Sequence, residues 1–339
     1  MKRSELYFDL PNRLIAQSRF RDPARNRLLA ISRADQGKVT HTGFDRLLSF
    51  LNAGDVLVLN DTKVMPARFW GMHESEGQVE ITLVTRIDDR SWEALVRPDA
   101  RNLRKGGKIH LKQQGLSLRM IKKTKSGYWL VKFNGKGIRD FLSRHAEVNI
   151  PFYISRQAKL SEYQTIYARI PGSTQCPTTG LHFTRDLLWG IEGKGVKIVY
   201  ITLHIGGSIV PVVVRDFRDL RMHKEYFEIK PGAARQINDV RRKGGRVFAV
   251  GTTTVRALES AAGKNGLICA KKGWTGLTIK PGHRFKTVDA FLTNFHMPGS
   301  SHLLMTSAFG GVRPVLNAYK QALAREYKFL DFGDAMLII

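Results

Sequence analysis

Polar side chains that can move protons or bind a ligand follow apolar runs at four places in this sequence. The four stretches are QCPTTGLHFT (175–184), YITLHIGG (200–207), GRVFAVGTTTVRALES (245–260) and TVDAFLTNFHMPGSSHLL (287–304). Imidazole gains and loses a proton close to neutral pH, and hydroxyl and amide groups bind ligands through hydrogen bonds. A site for proton transfer is therefore available if the fold brings these stretches together.

The elements around these stretches predict how they meet. VKIVYITLHI and GRVFAVG are nearly continuous apolar runs, which is typical of strands buried on both faces. Helical patterns alternate with them, so the sequence predicts an α/β fold: a three-layer α/β/α domain with a mostly parallel sheet. The carboxyl ends of parallel strands share one edge, where ligands bind. We therefore expect His182, His204, the threonines at 252–254, Asn294 and His296 to converge there.

The threonines after Gly251 open a predicted helix whose free N–H groups and positive dipole end suit an anion. The stretch matches neither GxGxxG nor the P-loop pattern, so we predict neither a dinucleotide site nor a P-loop. The alternative to an anion site is an ordinary capped helix. Arg256 and Glu259 lie three residues apart and could form a structural ion pair. His204 could be a hydrogen-bonded core residue. We favour it over His182 as a proton acceptor, because it directly follows a strand and precedes glycines.

Residues 66–150 have a different sequence pattern. GQVEITLVTRI, SWEALVRP, GGKIHLK and SGYWLVKF alternate apolar and polar residues between turns, which predicts a small antiparallel β-barrel. The N-terminal segment FDRLLSFLNAGDVLVLNDTKV has the pattern of a helix, a turn and a buried strand, as in the α/β part. The predicted organisation is one α/β/α catalytic domain formed by residues 1–65 and 153–339, with a basic barrel domain inserted at 66–152.

The distribution of charge indicates a polyanionic partner. The chain carries 55 Lys+Arg and 29 Asp+Glu, a formal net charge of +26. Residues 101–150 contain 13 Lys+Arg and only two acids, Asp140 and Glu147, which is +11 in fifty residues. Such a concentration is typical of nucleic-acid binding, and a solvated basic surface is the alternative. Lys122, Lys123 and Lys125 are the candidate RNA contacts.

Several classes of function find little support. The two cysteines, Cys176 and Cys269, have no metal-ligand spacing, so a reduced, cytoplasmic protein is expected. His223 and Glu225 lack a third nearby ligand, and we predict no metal. No GxSxG elbow is present. The N-terminus has no apolar signal region and no run is long enough to span a membrane, so no membrane partner is expected.

Quoted blocks of the sequence resemble a known family. QCPTTGLHFT is similar to its APTAGLHFT, NDTKVMPAR to its NNTRVIPAR, and SEYQTIYA to its ELYQTVYA. ITLHIGG, RMHKEYFEI, GGRVFAVGTTTVRALES, FKTVDAFLTNFHMP and FGDAMLI look like its other blocks, in the same order. The resemblance runs from about residue 7 to the C-terminus and identifies a divergent member of the S-adenosylmethionine:tRNA ribosyltransferase-isomerase family of queuosine biosynthesis.

The resemblance implies an α/β domain with an inserted barrel and a particular reaction. The ribosyl part of S-adenosylmethionine is moved to 7-aminomethyl-7-deazaguanine at a tRNA wobble position, adenine and methionine leave, and epoxyqueuosine forms. S-adenosylmethionine is thus a ribosyl-donor substrate, and no recycled cofactor is expected. Alternatives are a related transferase with another acceptor, or a non-catalytic RNA-binding protein. A monomer is favoured.

On this reading the catalytic candidates are His204, His182 and Arg256. The substrate-binding candidates are Thr178, Thr179, Gly180, Thr252, Thr253, Thr254, Glu259, Asn294, His296, His223 and Asn60. The chain departs from the family pattern by a shorter glycine turn in IGGSIVP and by the residues Pro23, Cys176, Thr179 and Leu220.

Overall fold

The computed structural model describes residues 1–20, 26–99, 103–124, 127–156, 158–206 and 214–339. The strands of the α/β part are β1 (Arg27–Ser32), β2 (Lys38–Gly43), β3 (Val56–Asn60), β4 (Thr62–Val64), β11 (Ile170–Ser173), β12 (Lys197–Leu203), β13 (Glu225–Ile229), β14 (Val247–Val250), β15 (Lys271–Thr275), β16 (Ala290–Asn294) and β17 (Ala335–Ile338). The strands between β4 and β11 are β5 (Arg68–His73), β6 (Gly77–Arg86), β7 (Ser91–Arg97), β8 (Lys108–Leu111), β9 (Ser117–Lys123) and β10 (Trp129–Asn134).

The helices are α1 (Ile138–His145), α2 (Arg185–Gly193), α3 (Pro231–Arg242), α4 (Thr252–Ala261), α5 (Ser301–Gly310) and α6 (Val312–Ala324). Short 3-10 helices cover Arg3–Leu6, Asn12–Leu14, Phe44–Phe50, Thr178–His182 and Phe217–Asp219. The two that matter for the site are Phe44–Phe50, which packs on the sheet, and Thr178–His182, which carries the TTGLH segment.

A mixed sheet forms the centre of the molecule. Within the described residues its nine strands run in the order β15-β13-β12-β3-β14-β16-β17-β1-β2. The strands β12, β3, β14 and β16 are mutually parallel, whereas β15 and β13 on one flank and β17 and β2 on the other pair antiparallel with a neighbour. The α/β fold class is confirmed. The sheet is mixed rather than mostly parallel, because strands returning at both flanks add antiparallel pairs.

Alternate residues of β3 explain its burial on both faces. Val56 and Val58 belong to one apolar core with α3 to α6, whereas Leu57 and Leu59 belong to a second core with α2 and the Phe44–Phe50 helix. Successive side chains of a strand point to opposite faces. The continuous apolar run therefore produces the three layers, and it leaves the polar residue Asn60 at the carboxyl end of the strand.

The segment between β4 and β11 closes into a barrel. In the described chain its six strands run β10-β7-β6-β5-β8-β9, and each paired strand is antiparallel to its neighbour. The interior is apolar, and Phe141 of α1 closes it by packing edge-on against Phe69 at 5.2 Å. These strands fall inside residues 66–152, and the division of the chain into domains stays a prediction.

Candidate active site

The four parallel strands bring their carboxyl ends to one edge, and Asn60 at the end of β3 joins β12 and the helix α4 there. Its amide Nδ2 donates to the Leu203 carbonyl (2.9 Å) and to Thr253 Oγ1 (3.2 Å), while Leu203 N donates to its Oδ1 (2.9 Å). Asn60 is 1% exposed. The asparagine at the end of β3 therefore fixes the end of β12 against the start of α4, and it does so without facing the cleft next to it.

A cleft opens at this edge, with about 420 Å³ of space that includes open solvent at its mouth. It is lined by Ile205, Met222, His223, Glu225, Thr252, Thr253, Arg256, Ser301, His302 and Met305. Gly251, with φ of +84°, makes the turn from β14 into α4, and this left-handed backbone favours glycine. The starts of α4 and α5 both reach the cleft, so the unpaired N–H groups and positive dipole ends of two helices lie beside it.

Arg256 and Glu225 form a buried ion pair in the cleft wall. The guanidinium NH1 donates to Glu225 Oε2, and the remaining nitrogens donate to the carbonyls of Leu277 (3.1 Å), Thr275 (3.2 Å) and His223 (3.3 Å). Arg256 thus ties α4 to β13 and β15. Its contact with the His223 carbonyl also holds the backbone of a cleft residue in place.

The alternative of an Arg256–Glu259 ion pair is wrong, because Arg256 pairs with Glu225 and Glu259 binds a different segment of the chain. Its carboxylate accepts N–H groups from Lys286, Thr287 and Val288. Burial raises the pKa of Glu259, but hydrogen bonds from His283 and these N–H groups outweigh it, so the pKa is lowered. Glu259 clamps the chain before β16 and is not among the residues that line the cleft.

His204 is held in a polar network beside the cleft. Its Nδ1 lies 2.8 Å from Thr62 Oγ1, which also contacts Ser173 Oγ at 2.7 Å. The imidazole stacks on Tyr226 with the ring planes 19° apart. Burial, followed by the charge of Arg86, lowers the pKa of His204 to about 4. The imidazole is neutral at pH 7 and joins the end of β12 to the first residue of β4, and it is not among the residues that line the cleft.

His182 lies in a second, smaller cleft. Its ring stacks on Phe44 (4.8 Å), and its Nε2 lies 3.3 Å from Asn294 Nδ2. Asn294 Oδ1 accepts a hydrogen bond from Thr179 Oγ1 at 2.7 Å. Burial, with a smaller effect of Arg19, lowers the pKa of His182 to about 3. The second cleft is lined by Arg19, Phe20, Asn26, Leu181, His182, Thr184, Asp331 and Phe332.

The structure therefore divides the predicted group of polar residues. Thr252, Thr253, Arg256 and His223 line the first cleft, and His182 lines the second. Thr178 Oγ1 lies 3.5 Å from Asp331 Oδ1, and Gly180 packs so closely on Tyr167 that a Cβ would lie 2.0 Å from its hydroxyl. Thr254 Oγ1 donates to the carbonyl of Val250, the last residue of β14, at 2.6 Å.

His296 is half-buried and contacts the first cleft through His302. Its Nε2 contacts Thr293 Oγ1 at 2.9 Å, and its ring stacks on His302, which reaches the cleft. Burial lowers the pKa of His302 to about 4 and that of His296 well below its ordinary value. Both imidazoles are therefore neutral at pH 7.

Sequence reasoning missed His302 and Ser301 as lining residues. The signal was present, because both open the helix that follows the β16 strand end, as the threonines do after β14. Ile205, Met222 and Met305 gave no such signal, since an apolar residue next to a strand is as often in the core.

Two features join the barrel to the first cleft. Tyr128, in the turn between β9 and β10, packs against the His223 ring at 5.3 Å, and burial with the charge of Glu93 raises the pKa of Tyr128 to about 12. A Cβ at Gly206 would lie 1.7 Å from the Val84 carbonyl oxygen of β6. The barrel therefore forms one side of the approach to the cleft.

The candidate RNA contacts lie near that turn. Lys122 is exposed, whereas Lys123 forms an ion pair with Asp99 at 2.7 Å. Lys125 lies outside the described residues, as do Pro23 and most of the IGGSIVP turn at 207–211.

The described residues show neither a metal-binding cluster nor a helix that could span a membrane. No group of three or more His, Cys, Asp or Glu in them could hold a metal ion. No helix in that part of the chain is long and apolar enough to cross a membrane. The cytoplasmic location and the monomeric state stay predictions.

A mixed sheet with helices on both sides, a cleft at its strand ends and a closed antiparallel barrel beside that cleft define the class of protein: an α/β fold that carries a β-barrel. Comparison with known proteins gives the family. The family described as "Queuosine biosynthesis protein" matches residues 3–338, and the chain belongs to it.

Named relatives agree with this assignment over their full length. The chain is 44% identical over 343 residues to the S-adenosylmethionine:tRNA ribosyltransferase-isomerase of Caldanaerobacter subterraneus subsp. tengcongensis, and 40% identical to that of Staphylococcus haemolyticus, each covering 100% of both chains. The crystal structure of S-adenosylmethionine tRNA ribosyltransferase from Thermotoga maritima is similar with a TM-score of 0.56 and 31% identity, covering 99% of this chain and 100% of that one.

Proposed function

We propose that this chain is a transferase and isomerase that moves the ribosyl part of S-adenosylmethionine onto 7-aminomethyl-7-deazaguanine in tRNA, with release of adenine and methionine. Family membership over residues 3–338 carries the proposal. The cleft at the carboxyl edge supports it, because it offers what this chemistry requires: an anion site, a proton acceptor and an approach for a large RNA.

The starts of α4 and α5 suit the methionine carboxylate of the donor. Thr252, Thr253 and Ser301 line the cleft where both helices begin. Unpaired N–H groups and the positive dipole ends favour a carboxylate there. The Arg256–Glu225 pair contributes no net charge, since its two partners neutralise one another. We therefore assign Arg256 to positioning rather than to substrate binding.

We assign the proton acceptor to His223. The reaction needs a base for the carbon beside the sulfonium, whose C–H bond breaks and leaves its electron pair on that carbon. His223 lines the cleft and has its backbone held by Arg256. His204 has its Nδ1 engaged by Thr62, and the described structure does not place it in the cleft lining. The proposal thus transfers the role from His204 to His223.

Adenine must leave with the electron pair of its glycosidic bond and needs a proton or hydrogen bonds at its ring nitrogens. His302 is the cleft residue suited to that contact. It is neutral at pH 7, and its stacking on His296 fixes the plane of its ring.

The decisive test is adenine release. The protein is incubated with S-adenosylmethionine and tRNA carrying the deazaguanine precursor, and we expect adenine and methionine to form only when that RNA is present. Methyl transfer with S-adenosylhomocysteine as the product would refute the proposal. Adenine release with a different acceptor would favour the related transferase.

The role of His223 is tested with a matched pair of variants. We expect His223→Gln to lower turnover by about 10²–10⁴-fold, which is the usual contribution of a general base. His204→Gln should keep turnover within about tenfold, provided that it folds. Donor binding, measured by calorimetry, should persist in both. Near-normal turnover of His223→Gln would refute the assignment.

A further inference from the structure

Three exposed cations form a row across the outer face of the barrel. The β8–β9 register places Lys108 opposite Arg119, and the β9–β10 register places Arg119 opposite Lys132. All three side chains are exposed, while their strand neighbours Ile109, Leu118, Met120, Val131 and Phe133 are buried in the barrel. We call Lys108, Arg119 and Lys132 the basic row.

Within the described residues, no ion pair includes a residue of the basic row. The ion pairs found in the described part of the barrel join Arg68–Glu147, Arg86–Asp89, His110–Glu74 and Lys123–Asp99. Hydrogen bonds from Arg90 and Ser91, and to a smaller extent the charge of Lys132, lower the pKa of the exposed Asp88, so Lys132 has one acidic neighbour. Like charges directly opposite each other in a sheet are destabilising. Adjacent strands lie about 4.8 Å apart, so the row sets three positive charges along roughly 10 Å. Such a line of charge complements a polyanion whose negative charges are themselves in a line.

Two of the three residues of the basic row, Arg119 and Lys132, lie on β9 and β10, the strands whose turn reaches the cleft. Tyr128 precedes β10 and packs against His223, and Lys132 is four residues further along. At about 3.3 Å per residue, this separation is roughly 13 Å. A strand of RNA lying on the row is thus close enough to place one nucleotide at the mouth of the cleft.

We propose that the outer face of β8, β9 and β10, centred on the basic row, is the docking surface for the phosphate backbone of the RNA substrate. The inference rests on the proposed function for the identity of the RNA. It differs from the sequence-based prediction, which placed the contact at Lys122, Lys123 and Lys125. One of those charges, Lys123, is already paired with Asp99.

The test compares two triple variants of equal composition. K108Q/R119Q/K132Q removes the basic row. K264Q/R313Q/K320Q removes two lysines and one arginine that are exposed on the α/β part of the molecule. The probe is a fluorescent, unmodified tRNA transcript, and its dissociation constant is measured between 50 and 200 mM salt. Melting curves check that both variants fold.

We expect the basic-row variant to bind the transcript roughly ten- to hundredfold more weakly. The slope of log affinity against log salt concentration is negative, and its magnitude should fall by about 2–3. The control variant should stay within about threefold of the unchanged protein. At saturating RNA, adenine release by the basic-row variant should return to near the unchanged rate, since the cleft is untouched.

Equal losses in both variants would show that only overall charge matters, and would overturn the proposal. Unchanged RNA binding, with loss of binding to phosphatidylserine vesicles instead, would assign the face to a membrane and also overturn it. If the unchanged protein releases no adenine, the proposed function fails. The RNA-binding comparison still decides the docking surface.

Discussion

Removal of the Arg256 guanidinium should destabilise the fold at the cleft. Arg256 and Glu225 are 4% and 7% exposed, and Arg256 also donates to the carbonyls of Leu277 and Thr275. Arg256→Gln leaves the carboxylate buried without its cation. Breaking a buried ion pair by removing one partner costs about 3–5 kcal/mol, out of a total stability of roughly 5–15 kcal/mol for a typical protein.

The measurement is urea unfolding followed by circular dichroism at pH 7. Arg46→Gln is the matched control, because Arg46 is 73% exposed and lies 3.7 Å from Asp45. An exposed pair contributes about 0–1 kcal/mol, so the control should unfold close to the unchanged protein. The double variant Arg256→Gln/Glu225→Gln should recover part of the loss, because no unpaired charge then remains buried.

Two results would refute this reasoning about the ion pair. A loss below about 1 kcal/mol in Arg256→Gln would mean that water or a rearranged side chain reaches Glu225 without cost. A double variant no more stable than Arg256→Gln would mean that the carbonyl contacts, and not the buried charge, carry the effect.

Two further predictions concern the burial of His182 and the contact between barrel and sheet. Burial lowers the pKa of His182 in the folded state to about 3, so the unfolded state binds more protons below pH 6.5 and stability falls as pH decreases. Between pH 6.5 and 5, the free energy of unfolding of His182→Gln, measured in urea, should fall by about 1.6 kcal/mol less than that of the unchanged protein, and an equal fall in both would contradict this. Gly206→Ala should lower the melting temperature and adenine release, because its Cβ would lie 1.7 Å from the Val84 carbonyl oxygen. Gly232→Ala, with open space around its Cβ, should be neutral or slightly stabilising, and equal behaviour of the two variants would refute the steric argument.

The fold could be predicted from local patterns to a large extent. The apolar run of β3 and the threonines that open α4 lie where the sequence predicts them. The alternating segments between β4 and β11 form an antiparallel barrel as expected. These predictions hold because strand and helix periods are properties of neighbouring residues. The antiparallel flanks of the sheet were not predicted, since strand direction depends on how distant segments return.

The candidate site was predictable only in part. His223 precedes the strand β13 and Thr252 follows the strand β14, and both residues line the cleft. The partner of Arg256 is Glu225, 31 residues away, and the helical spacing pointed to Glu259 instead. A spacing rule ranks neighbours within one helix and carries no information on a carboxylate from another strand. For the same reason it did not place His302 in the cleft.

The sequence by itself determined the secondary-structure periods, the concentration of positive charge in residues 101–150 and the family resemblance, because each is a property of residue order along the chain. Only the tertiary structure decided which polar residues share a cleft. It placed His182 in one cleft and His223 in another, and left His204 bonded to Thr62 beside them. It also set Lys108, Arg119 and Lys132 in one row, because strand register joins residues that are 11 and 13 positions apart in the chain. Side-chain surroundings depend on contacts between distant segments, and these form only when the chain folds.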